Sequence, residues 1–194
     1  MNLNIGHQVQ WWEWSARWNL ILHKPQSVFK QFQDTQALAN IDIMEALQNS
    51  NNKKQTLNTY LNHIKQSIAL IETTKSQLSQ EISTQNSKYN ECQASKLQGD
   101  GLYYQWLQQL STHDLEQGLE QSITYGKCAI EHRIRSNAAS ALYAKLIVYT
   151  EALSYRYNIL STHQDLIINH FNVFKDSYLE KLMTVKDAFG GIDE

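Results

Sequence analysis

The stretch from Leu57 to Lys96 constrains the fold more than any other. Apolar residues recur there with heptad spacing: Leu57, Leu61, Ile64, Ile68, Ile71, Leu78, Ile82, Tyr89 and Cys92. The same register passes through Lys75, Gln85 and Lys96. Alternating steps of three and four keep one stripe on one face of a helix. The stripe predicts a single long helix, about 53–98, packed against other helices. It carries no chemistry of its own. Polar residues at core positions of such a stripe, here Lys75 and Gln85, either fix pairing register at a cost in stability or mark where the packed seam meets solvent.

The rest of the chain agrees with an all-helical reading. One Pro and seven Gly in 194 residues are few, and Ala, Leu, Gln, Glu and Lys favour helix. No alternation of apolar and polar residues persists long enough to suggest a sheet. The run Asn49-Ser50-Asn51-Asn52 is the clearest turn, since Asn and Ser side chains hydrogen-bond locally and compete with helix. Pro25 suits the first turn of a helix over about 26–49. Gly99-Asp100-Gly101 is expected to stop the central helix. A short helix over about 102–110 should follow, and Ser111 to Asp114 offers N-caps for the next.

That next helix, about 114–160, places Leu115, Leu119, Ile123, Ile130, Ile134, Ala138, Ala141, Leu142, Leu146, Tyr149, Leu153 and Tyr157 on its apolar side. Its steps of four lie nearer an eleven-residue period than a strict heptad. Gly118 and Gly126 inside it either permit close backbone approach or mark a kinked start. Ser161 with Gln164 fits a capping box, so a last helix is placed over about 164–189; the alternative is one continuous helix from 114 to 189, since no Pro or Gly interrupts the chain at that point. Gly190-Gly191 should end it, leaving residues 191–194 as a loose tail.

The expected fold class is therefore all-α: an elongated antiparallel helical bundle with a long coiled-coil-like hairpin. Two long helices would reach about 70 Å at 1.5 Å per residue. The two shorter ones, 26–49 and 164–189, would brace them into a four-helix bundle within 25–190. The segment from Gly99 to Asp114 would be the hairpin tip, presenting Tyr103, Tyr104 and Trp106. A Trp-rich amphipathic helix over 1–24 precedes the bundle. There Trp11, Trp14 and Trp18 share a face with Ile21 and Leu22. Such a face fits the protein core, a protein partner or a membrane surface.

Several activities lack their residues. No Glu-x-x-His pair, no H-E-x-x-H and no glycine-rich phosphate loop occurs. His163 and His170 are seven residues apart, about 10 Å along a helix and too far to share a metal unaided. A net charge of −2 does not suit nucleic acid, and the group Lys127, Arg133 and Arg135 contains Glu131. Cys92 and Cys128 form no CxxC motif. Their simpler reading is two partly buried free thiols, and a bridge requires their helices to lie side by side.

No signal peptide and no run of about 18 apolar residues is visible. A cytoplasmic location is the default, and an exported or periplasmic one follows if a leader once preceded Met1. The function expected is a non-catalytic interaction, scaffold or assembly subunit without cofactor, metal or nucleic acid. It would engage a protein partner, or a second copy of itself, through Tyr103, Tyr104 and Trp106 or through the Trp-rich helix. The alternative is a membrane-associated helical protein, a secretion-system component or α-helical pore former, anchored by that Trp-rich helix. A helical metal or small-molecule enzyme is the third reading.

Overall fold

The computed structural model describes residues 26–39, 41–109 and 112–193, in part of which only the backbone is described. Among these residues six helices follow in order: α1 (Gln26–Ala39), α2 (Ile43–Gln48), α3 (Lys53–Gln109), α4 (Thr112–Thr162), α5 (Gln164–Asn169) and α6 (Phe171–Asp193). Among the described residues there is no strand. The long helices α3 and α4, of 57 and 51 residues, pack against each other as an antiparallel hairpin. Contacts divide the chain into two units: residues up to Ser76 together with those from Tyr143, and residues Gln77–Leu142.

The first unit holds the large side chains. Leu47, Leu57, Tyr60, Ile64, Ile71, Leu146, Leu153, Leu160 and Phe174 are almost fully buried. Removing a large aliphatic side chain from such a site typically costs about 2–5 kcal/mol. The predicted turn is present. Asn52 caps α3 by accepting from the Gln55 backbone N–H at 3.1 Å, and the Ser50 and Thr56 hydroxyls bond at 2.6 Å.

The helix expected over 26–49 is interrupted instead. Asp42 starts α2 by accepting from the N–H groups of Met44 and Glu45, both at 3.1 Å. The α1 end is held from outside. The Ala39 carbonyl, one of the acceptors a helix end leaves unmatched, receives the Tyr60 hydroxyl at 2.8 Å and an Arg156 N–H at 3.3 Å.

A break near residue 163 is present, but not through a capping box. The Ser161 hydroxyl turns back to the Asn158 carbonyl. His163 marks the junction: its Nδ1 donates to the Ile159 carbonyl at 2.8 Å, so its Nε2 accepts from the Tyr178 hydroxyl at 2.6 Å. A second interruption, at His170, was not predicted. Helix α6 runs on to Asp193, through the Gly190-Gly191 pair expected to end it. Gly inside a helix costs only about 1 kcal/mol relative to Ala.

The second unit corrects the expected tip. Helix α3 continues through Gly99-Asp100-Gly101 to Gln109, so no separate helix over 102–110 exists. Gly99 and Gly118 are close-approach residues. A Cβ on Gly118 would lie 2.7 Å from the Tyr103 nitrogen and 2.8 Å from the Gly99 oxygen. A Cβ on Gly99 would lie 2.7 Å from the Gln121 Cβ and 2.8 Å from the Ser122 nitrogen. The two backbones touch where neither residue has a side chain. Asp100, expected as a turn former, instead bridges Lys96 at 2.6 Å and the Ser122 hydroxyl across the seam.

Candidate functional site

Every seventh residue of α3 from Leu57 is buried: Leu57, Ile64, Ile71, Leu78, Gln85, Cys92 and Gly99. Within the second unit this series runs Leu78, Gln85, Cys92, Gly99, from large aliphatic to no side chain. The seam of α4 opposite is made of matching small and polar residues. Gly118, Ala129, Ser136 and Ala139 are buried, with Ser122, Tyr125 and His132 half-buried. Their spacing of three and four is a heptad seam in its own right.

Polar pairs set its register. Gln85 is 2% exposed. Its amide donates to Glu81 at 2.6 Å, and its oxygen meets His132 Nδ1 at 2.6 Å. The Ser136 hydroxyl donates to Asn86 at 2.8 Å. The Arg133 guanidinium lies over the Tyr89 ring, 5.0 Å from its centroid. A shift of α4 by one residue would break all three contacts together. Lys75, the other polar core position, sits at 2.9 Å from Glu72 and within 6.0 Å of the Tyr143 ring. Its side chain is half-buried, whereas Gln85 answers to the register reading.

Cys92 and Cys128 are joined by a disulfide across this seam, with Cα atoms 5.9 Å apart. That overturns the expectation of free thiols. The antiparallel register lays the two helices side by side, and the Cα spacing falls in the range a bridge requires. His132 lies one turn beyond Cys128 on the same face of α4. One of its ring nitrogens and the two sulfurs lie within 4.8 Å of one another.

Asp100 sits where α3 faces Ser122 of α4. Hydrogen bonds from Lys96 and then from Ser122 hold it below the usual carboxylate value. In the first unit, burial raises Tyr60 above the usual tyrosine value, partly opposed by the Arg156 charge beside it.

Because the seam uses small residues, the bulky aliphatic row of α4 faces out. Leu119, Ile123, Ile130 and Ile134 are 42%, 56%, 63% and 60% exposed. Sequence reasoning assigned these four to the packed face. The structure turns them to solvent, since large side chains cannot enter a seam where Gly99 meets Gly118. The signal that could have revealed this is the recurrence of Gly118, Ala129, Ser136 and Ala139 opposite the shrinking α3 series.

Of the expected tip residues, Tyr103 and Tyr104 lie on α3 with ring centroids 5.9 Å apart, edge to face. Tyr104 is 63% exposed and shares a face with Leu97, also exposed. Trp106 is on the same helix, and its side chain lies outside the described residues. Trp11, Trp14, Trp18, Ile21 and Leu22 lie wholly outside them. Among the described residues, no helix is long and apolar enough to cross a membrane. Compared with family models, curated proteins and solved structures, the chain finds no match in any of the three.

Proposed function

We propose that this chain is a non-catalytic assembly subunit that pairs with a second copy of itself along α4. The observation that carries the reading is the exposed row Leu119, Ile123, Ile130 and Ile134. Its steps of four, seven and four are palindromic. An antiparallel copy related by a two-fold axis between Gly126 and Lys127 sets Leu119 against Ile134 and Ile123 against Ile130. Such an interface is isologous and closed, which limits assembly to a dimer.

The charges agree with that direction. Glu116 and Glu120 flank the first half of the row, and Lys127, Arg133 and Arg135 dominate the second, where Glu131 is already paired with Arg135. An antiparallel copy sets the acidic half of one row against the basic half of the other.

Eight half-exposed aliphatic side chains, four from each copy, offer about 6–12 kcal/mol on burial. That is comparable with the cost of association, about 4–15 kcal/mol. The two nearly cancel, so the dimer should be weak and reversible, dissociating on dilution. Sedimentation velocity over a concentration series tests this. The unaltered chain should pass from monomer to dimer. The double substitution Ile123→Ser with Ile130→Ser should stay monomeric with unchanged helicity. A dimer indifferent to those substitutions would place the interface elsewhere, with Leu97 and Tyr104 on α3 next to be tested.

A further inference from the structure

We infer that reduction of the Cys92–Cys128 bridge opens a zinc site built from both thiolates and His132. The inference is independent of the pairing proposed for α4, since it uses the inward face of that helix. Three ligand atoms are already collected. The two sulfurs and a ring nitrogen of His132 lie within 4.8 Å of one another. Cys128 and His132 are four residues apart, so they project from one face of α4. Cys92 comes from the opposing helix. On tetrahedral zinc, ligand atoms lie about 3.5–3.8 Å apart, given bonds of about 2.3 Å to sulfur and 2.0 Å to nitrogen. Separation of the bonded sulfurs, with small side-chain rotations, brings the set to that spacing.

The second observation is the support behind His132. The Gln85 amide nitrogen donates to Glu81 at 2.6 Å, which aims the Gln85 oxygen at His132 Nδ1. An amide oxygen only accepts, so Nδ1 carries the proton and Nε2 holds the lone pair. This is the arrangement that metal-bound histidines use: one ring nitrogen anchored by an acceptor and the other free to ligate. Gln85 is buried at 2% exposure, so the anchor is held by packing. A buried glutamine at an aliphatic heptad position costs stability; beside setting the register of the seam, it orients His132.

The ligand chemistry selects the metal. Two thiolates and an imidazole suit zinc, and they discriminate against magnesium and calcium, which take oxygen donors. Among the described residues no other Cys, His, Asp or Glu belongs to the group. Three protein ligands leave the fourth position for water.

The chemistry balances with a dithiol reductant. Thiolate exchange transfers the two electrons, leaving Cys92 and Cys128 as thiols and the reductant as its own disulfide. Zinc binding then displaces one proton from each thiol. Bridge and metal are mutually exclusive, so the seam is closed by one covalent link when oxidised and by one metal ion when reduced.

Cobalt(II) is a direct probe. The intact chain, reduced with a dithiol and freed of it, should bind one cobalt per chain, with thiolate-to-metal charge-transfer bands and the visible bands of tetrahedral cobalt. Zinc should displace it, and the oxidised chain should bind none. His132→Ala should weaken binding and shift the visible bands. Gln85→Leu should weaken it about 10–100-fold through loss of the anchor. Both positions can be checked for folding in the oxidised form, where the bridge holds the seam. The inference is overturned if the reduced chain binds no cobalt, or if His132→Ala leaves affinity and spectrum unchanged.

Discussion

Gly118→Ala and Gly101→Ala should move stability in opposite directions. In α4, a methyl on Gly118 would meet the Tyr103 nitrogen at 2.7 Å, the Gly99 oxygen at 2.8 Å and the Leu102 carbonyl carbon at 3.2 Å. All three are backbone atoms of α3, so no side chain can rotate away and the helices themselves must separate. Overpacking of that kind costs about 1–3 kcal/mol. Against it stands the gain from replacing Gly by Ala in a helix, about 1 kcal/mol. The net expectation is a loss of up to about 2 kcal/mol. A methyl on Gly101 meets nothing within 4 Å, so only the helix gain remains and the variant should be more stable by about 1 kcal/mol. Denaturant unfolding followed by far-UV circular dichroism, with hydrogen exchange of the amides between 95 and 125, separates the cases. If Gly99 to Gly101 were a turn ending the helix, Gly101→Ala would destabilise and Gly118→Ala would not. Observing that pattern would refute the continuous helix and its close contact.

Three further outcomes follow from particular side chains. Tyr60→Phe removes the donor to the Ala39 carbonyl and an acceptor for Arg156, which should cost about 1–3 kcal/mol in denaturant unfolding. Burial raises the Tyr60 value above its usual 10.0, so its contribution is full below pH 10.0 and is lost as pH rises through the folded value; the Phe variant should lack that alkaline loss. Asp100 is held below its usual 3.8 by Lys96 and Ser122. Its contribution is therefore full above pH 3.8 and lost as pH falls through the folded value, and Asp100→Asn should flatten that acid limb in a series of melts. Ile123→Ser and Ile130→Ser alter exposed positions, so each should change monomer stability by no more than about 0.5 kcal/mol, measured at concentrations below association.

The sequence showed what one helix can show by itself. The stripe from Leu57 to Cys92 is periodic; Leu57, Leu61, Ile64, Ile71, Leu78 and Cys92 are buried, while Ile68, Ile82 and Tyr89 are half-buried. The Asn49–Asn52 turn is equally local, because Asn52 and Ser50 make their own hydrogen bonds. What failed depended on the neighbouring helix. Gly99 and Gly101 carry the local mark of a stop, yet Gly99 is there for the backbone of α4. The row Leu119, Ile123, Ile130 and Ile134 looks like a core face because nothing within α4 says which of its two stripes meets α3. That choice rests on size: Gln85, Cys92 and Gly99 leave room for Ala, Ser and Gly opposite, and not for Ile. The pairing of Cys92 with Cys128, and their proximity to His132, follow from the same register. They became legible only once Gly99 was set against Gly118. The Ala39 break was hidden for a similar reason, since Tyr60 and Arg156 reach its carbonyl from two other helices.

The most direct test of self-pairing along α4 is charge complementation between copies. Ile123→Glu alone should weaken association, because the two-fold sets that site against Ile130 of the second copy. Ile130→Lys alone should weaken it too, by facing Ile123. An equimolar mixture of the two single variants creates a mixed dimer in which one facing pair is opposite in charge and the other is the original Ile130 against Ile123. Sedimentation of that mixture should show dimer recovered toward the level of the unaltered chain, when each variant alone sediments mostly as monomer at the same total concentration. A mixture no more associated than its separate components would contradict the antiparallel pairing.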